Sequence, residues 1–236
     1  MVSWTSSNMS NWQSGISLFA TLTSVVSSPQ AAAVGVQPQA SGEELFLQGV
    51  SKTRVEDYDG AIADLNKAAM EFTRQRNKID AYKSRALAVY LSWADTNQSP
   101  PDWYLSGHCM GSPACTYITN WVAPNVNNNN YGGILVLNKR IGMRQRSQGG
   151  SVPITAVLDV AVVPQLDDGE SLHNGICKLR GKRDPEIAAI AKFDGYEDQE
   201  SFTEVSQAWR IDTKAQRISE IPTRGVSCVN PCPGGC

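Results

Sequence analysis

Several chemical devices are missing from this chain. There is no Gly-rich segment running into Lys-Ser or Lys-Thr, no G-x-G-x-x-G, no C-x-x-C and no alternating D-x-D-x-D-G. These absences remove the usual means of cradling a phosphate, of redox chemistry at a closely spaced thiol pair, and of building a calcium loop. The sequence has only two histidines, so an imidazole-based acid or base has few candidates. No apolar run approaches the roughly 20 residues a bilayer-spanning helix requires. The first 42 residues carry no charged side chain at all.

Charge of one sign is also missing. The net charge is −2, with 8 basic against 9 acidic residues over 43–101 and 13 against 14 over 102–236. Such balance offers no electrostatic footprint for nucleic acid. Two local clusters, Lys139-Arg140 with Arg144 and Arg146, and Lys178 to Arg183, read as solvated strand ends and turns. Neither shows the interleaved aromatics of a base-stacking platform.

Within the uncharged leader, Ile16 to Val26 forms an interrupted apolar run followed by Ala31-Ala32-Ala33. This pattern predicts a secretory signal over 1–33 with a small-residue cleavage site, followed by a Gly/Pro/Gln/Ser linker over 34–42. A polar leader without export function is the other reading. Six cysteines agree with export, because an even number after a signal favours disulfides in an oxidising compartment such as the periplasm, the thylakoid lumen or the extracellular space. The candidates are Cys109, Cys115, Cys177, Cys228, Cys232 and Cys236, and sequence alone leaves their pairing open.

The folded chain is expected to begin at Glu43, where acidic residues favour a helix N-terminus. A first helix runs to about Thr53. A second, opening near Asp57, places Ala61, Leu65, Ala68 and Phe72 on one face. A third carries Ile79, Tyr82, Ala86, Val89, Tyr90 and Trp93 as an apolar stripe and is stopped by Pro100-Pro101. Leu45 and Gly49 recur 37 residues later as Tyr82 and Ala86.

With small residues at Gly49, Ala61, Ala68 and Ala86, and Leu65 at the bulky position, residues 43–96 resemble about one and a half tetratricopeptide repeats. That family binds and scaffolds proteins and peptides without reaction chemistry. The resemblance implies a binding face on the first helix of each unit, placing contacts at Phe46, Val50, Thr53, Lys83 and Tyr90. About three repeats are normally needed for an independent solenoid, so the rest of the chain must cap this one. An ordinary helical hairpin lying on a sheet is the competing reading. In general style, the leader, repeat and cysteine tail also resemble uncharacterised exported cyanobacterial proteins.

Residues 97–133 read as a Cys/Pro/Asn-rich connecting loop. Beyond it the hydrophobic period falls to two. Val152 to Val162 alternates, Asp167-Asp168-Gly169 signals a hairpin, and further strands are expected near Ile134–Leu137, Gly175–Leu179, Ile187–Phe193, Thr203–Ile211, Arg217–Ile221 and Val226–Val229. The fold class is therefore α+β: helices followed by an antiparallel β domain of five to seven strands over 134–236.

Catalytic and metal readings are weaker. His108 and Cys109 are chain neighbours that point opposite ways in a strand, so a Cys109 nucleophile would need distant His173 as its base. Cys228, Cys232 and Cys236 supply three thiols without the paired spacing of a zinc site. Asp167, Asp168 and Glu170, and Asp194 with Glu197, Asp198 and Glu200, read as solvated turns. The expectation is an exported, non-catalytic interaction protein with a protein or peptide partner, no cofactor and no metal. The alternative is a small exported ligand-binding protein or hydrolase with its site on the β half, near His173 or Trp209.

Overall fold

Ser41 opens the first helix, α1 (Gly42–Lys52), in the computed structural model, which describes residues 40–96, 103–111, 115–124, 131–145, 150–192 and 199–230. The Ser41 hydroxyl accepts from the Glu44 amide at 3.2 Å, and the Glu44 carboxylate accepts from the Ser41 amide at 2.8 Å. This reciprocal box satisfies donors that a helix start leaves orphaned. A 3-10 turn over Thr53–Val55 and left-handed Glu56 (φ 62°) end the segment. Asp57 then caps α2 (Tyr58–Arg74) by accepting from the Gly60 amide at 2.9 Å. Asn77 opens α3 (Lys78–Thr96), its side-chain oxygen accepting from the Asp80 amide at 3.2 Å.

Small residues set the helix spacing. A Cβ added at Gly49 would lie 2.8 Å from Leu65 Cγ and 3.1 Å from the Ala61 carbonyl oxygen, so α1 and α2 meet almost backbone to backbone. Ala61, Leu65 and Ala86 are sealed from solvent in one cluster. The α3 stripe differs from expectation, because Ile79 is 55% exposed while Ala81, Ser84, Leu87, Ala88 and Leu91 are buried. The reason is that α3 is covered on two sides, by α2 and by the first sheet, which widens its buried face beyond a single stripe.

Among the described residues, twelve strands form three antiparallel sheets of four. The first is β1 (Trp103–Met110), β2 (Tyr117–Pro124), β3 (Tyr131–Gln145) and β4 (Ser151–Pro164) in sequence order. The second runs β11 (Arg217–Ile221), β10 (Val205–Asp212), β8 (Ile187–Lys192), β5 (Glu170–Asn174). The third runs β7 (Lys182–Arg183), β6 (Cys177–Leu179), β12 (Val226–Val229), β9 (Ser201–Phe202).

Two expectations about this half change. Much of the supposed loop over 97–133 is the β1/β2 hairpin, paired through eight positions from Trp103↔Pro124 to Met110↔Tyr117. Its strands mix Ser, Gly, His, Thr and Asn with apolar residues, so period-two alternation is hidden; aromatic and β-branched content was the surviving signal. The strand number also exceeds five to seven, because β1 and β2 precede residue 134 and because β5, β7 and β9, of two to five residues, leave no readable pattern.

Apolar contacts arrange these elements in layers. Ile134, Val136, Val157 and Val160 of the first sheet join the helices through Val50, Tyr58, Leu87 and Leu91. Its other side, Leu135, Leu137 and Val163, packs on Ala188, Ile190, Trp209 and Ile211 of the second sheet. Ile187, Ala189 and Ala208 on the far side of the second sheet pack on Cys177, Val226 and Cys228 of the third. Burial on both faces explains the unbroken apolar run Ile187 to Ala191, since a central layer has no solvent side to alternate toward. Asp159 pins the first two sheets, accepting from the Ile218 amide at 2.6 Å.

Candidate functional site

The helix ends farthest from the Thr53 turn frame a groove of about 490 Å³. Its walls are the start of α1 (Ser41, Gly42, Glu43, Phe46, Leu47), the end of α2 (Phe72, Gln75) and the start of α3 (Asn77, Asp80, Lys83). Gly42 is required at the rim, because a Cβ there would meet the Phe72 ring at 2.9 Å. The Lys83 ammonium lies 4.7 Å from the centre of the Phe46 ring and 2.9 Å from an Asp80 carboxylate oxygen. Burial raises the Asp80 pKa, but hydrogen bonds from Lys83 and Asn77 and the Lys83 charge outweigh it and leave that carboxyl below its ordinary value. The groove thus combines a cation held over an aromatic face with an apolar floor and a wall of amide side chains.

Of the five contact residues the repeat resemblance implied, Phe46 and Lys83 lie in this groove. The other three do not reach a free surface. Val50 is 9% exposed and packs in the helix and sheet core. Thr53 is fully buried and accepts from the Val157 amide of β4 at 3.0 Å. Tyr90 is 3% exposed, its hydroxyl accepts from the Asn120 side-chain Nδ2 at 2.9 Å, and its pKa is pushed up by burial. In a free solenoid these positions would face a ligand, whereas here the first sheet covers them. Sequence reasoning missed Leu47, Gln75 and Asn77 as groove residues; the available signal was Asn77, whose capping position marks where two helix ends converge.

Two disulfides are formed among the described residues. Cys109–Cys115 clasps the β1/β2 hairpin, and Cys177–Cys228 joins β6 to β12 across a span of 51 residues. Cys232 and Cys236 lie outside the described residues, as do the expected signal over 1–33, the linker up to residue 39, Arg146, and the acidic residues Asp194, Glu197 and Asp198.

The candidate chemical groups are occupied in packing. His173 is 9% exposed, sits 2.8 Å from the Ser171 hydroxyl and stacks near Phe202, and burial lowers its pKa. His108 lies flat on Gly175, where any Cβ would come within 2.2 Å of the ring. Burial and the nearby Arg183 charge lower its pKa as well. Trp209 is 3% exposed in the core between the first two sheets. Asp167 and Glu170 close the β4/β5 turn, the Glu170 carboxylate accepting from the Asp167 amide at 3.0 Å. The basic pair Lys178 and Arg183 face each other across a tight β6/β7 hairpin turning at Arg180-Gly181, both left-handed. Among the described residues no group of three or more His, Cys, Asp or Glu side chains could hold a metal, and no helix is long and apolar enough to cross a membrane.

No family model, curated protein or solved structure matches this chain.

Proposed function

We propose that this is an exported, non-catalytic interaction protein that docks a peptide or protein segment in the groove at the helix ends, on a tetratricopeptide-like helical face. The observation that carries this reading is the pairing of Phe46 and Lys83 at a concave, solvent-open site bounded by three helix ends. A half-buried aromatic with a cation above it offers an apolar anchor beside a polar contact. Leu47, 57% exposed at the same rim, extends the apolar contact. The two disulfides support an oxidising, exported setting.

Selection of random peptides displayed on phage against the full chain tests this directly. Enriched peptides are expected to lose at least tenfold in affinity on Phe46→Ala and on Lys83→Ala, and to bind Val55→Ala normally. Peptides insensitive to both groove changes would show that binding occurs elsewhere on the surface.

A further inference from the structure

The two disulfides differ in a way that assigns them different chemistry. Cys177 and Cys228 are both fully buried between the second and third sheets, face each other as direct cross-strand partners, and lie among Ile187, Ala189, Ala208 and Val226. No dithiol reaches that bond without opening two layers. Cys109, by contrast, is exposed, and Cys115 is half-buried. Their bond sits at the outer end of the β1/β2 hairpin, and β1 is an edge strand of its sheet.

Other contacts hold the same end of the hairpin. The β1/β2 ladder continues through eight paired positions without it. The Thr116 carbonyl accepts from the Arg140 amide at 2.9 Å, holding the end of the hairpin against β3. His108, one residue before Cys109, lies against Gly175, a contact separate from the sulfur bond. Cys115 itself lies at φ 63°, in the left-handed region that an L residue with a Cβ disfavours, so the bond closes on a locally constrained backbone. Exposed and locally constrained disulfides are the exchangeable kind, while buried structural ones resist reduction.

We propose that Cys109–Cys115 is a thiol–disulfide exchange site of the folded protein, taking a dithiol as its reaction partner, and that Cys177–Cys228 is a permanent structural bond. In the exchange, one thiolate of the dithiol attacks the Cys109 sulfur. The Cys109–Cys115 bond breaks, Cys115 leaves as a thiolate that takes up a proton, and a mixed disulfide forms at Cys109. The second thiol, losing its proton, attacks the dithiol's own sulfur in that mixed bond and releases Cys109 as a thiol. Two electrons and two protons pass from the dithiol to the protein, and the dithiol departs as a cyclic disulfide.

The test is a titration of the intact, unmodified protein with dithiothreitol under native conditions, quenched by an alkylating reagent and mapped by peptide mass spectrometry. Circular dichroism is followed on the same samples. The expected result is labelling of Cys109 and Cys115 at least tenfold faster than Cys177 and Cys228, with the spectrum unchanged through that phase. In the Cys109→Ser/Cys115→Ser protein, Cys177 and Cys228 should keep their slow rate. Equal rates for both pairs, earlier labelling of Cys177 and Cys228, or loss of the folded spectrum together with the first thiols would each overturn the assignment.

Discussion

Thr53, at the end of α1, and Val157, 104 residues further on in β4, share a buried hydrogen bond: the Thr53 hydroxyl donates to the Val50 carbonyl at 2.7 Å and accepts from the Val157 amide at 3.0 Å. Val157 lies beside a register shift in the β3/β4 ladder, where its amide needs an acceptor from outside the sheet. A side chain that a lone helical repeat would display to a ligand is here the joint between helices and sheet. Removing the hydroxyl with Thr53→Val leaves that amide buried and unpaired, at a cost of about 1–3 kcal/mol. Denaturant unfolding should show a lower midpoint at unchanged m-value, with faster hydrogen exchange at Val157.

Close helix approach gives a second expectation. Ala61 is fully buried, and its carbonyl oxygen lies where a Gly49 Cβ would come within 3.1 Å. Ala61→Leu should destabilise the fold by about 1–3 kcal/mol through overpacking. An unchanged unfolding midpoint would show that the α1/α2 contact is looser than these distances state.

How much of this was legible in the sequence depends on what each residue's neighbours are. The helices could be read because Glu43-Glu44 and Asp57 are local signals, and because Ala61, Leu65 and Ala68 share one face of α2. The alternation of β4 and the Asp-Asp-Gly turn were equally local. Burial of Val50, Thr53 and Tyr90 was not readable, since it follows from the first sheet, whose Asn120 meets Tyr90 across 30 positions of chain and whose Val157 meets Thr53 across 104. The same holds for the Cys177–Cys228 pairing, which depends on the register of β6 on β12. Of the groove, Phe46 and Lys83 came from the repeat resemblance, whereas Asn77 and Gln75 line it only because α2 and α3 are joined by so short a turn.

The buried disulfide should dominate covalent stabilisation. Closing a span of 51 residues restricts the unfolded chain by about 4 kcal/mol in the loop-entropy model. Cys177→Ala/Cys228→Ala should therefore lower stability by roughly that amount, and by more than Cys109→Ser/Cys115→Ser, whose span is 6 residues. Paired thermal unfolding scans check the order.

The two histidines set a pH response. Burial lowers both pKa values from the ordinary 6.5. The unfolded chain therefore binds more protons than the folded one below about pH 6.5, so stability is full above that value and declines as pH falls toward the lowered folded-state values. The unfolding midpoint should drop as pH falls below about 6.5, ahead of the carboxylate range. His108→Asn/His173→Asn should flatten that slope, even at lower absolute stability.

The most direct test of the central claim uses a photoreactive phenylalanine analogue placed at Leu47 in the groove or at Met70 on the exposed face of α2 (57% and 71% exposed). A peptide enriched by display selection on the wild-type chain is irradiated with each protein. A covalent adduct is expected from position 47, lost on Phe46→Ala, and none from position 70. Equal adducts from both positions, or an adduct at 70 alone, would contradict the claim.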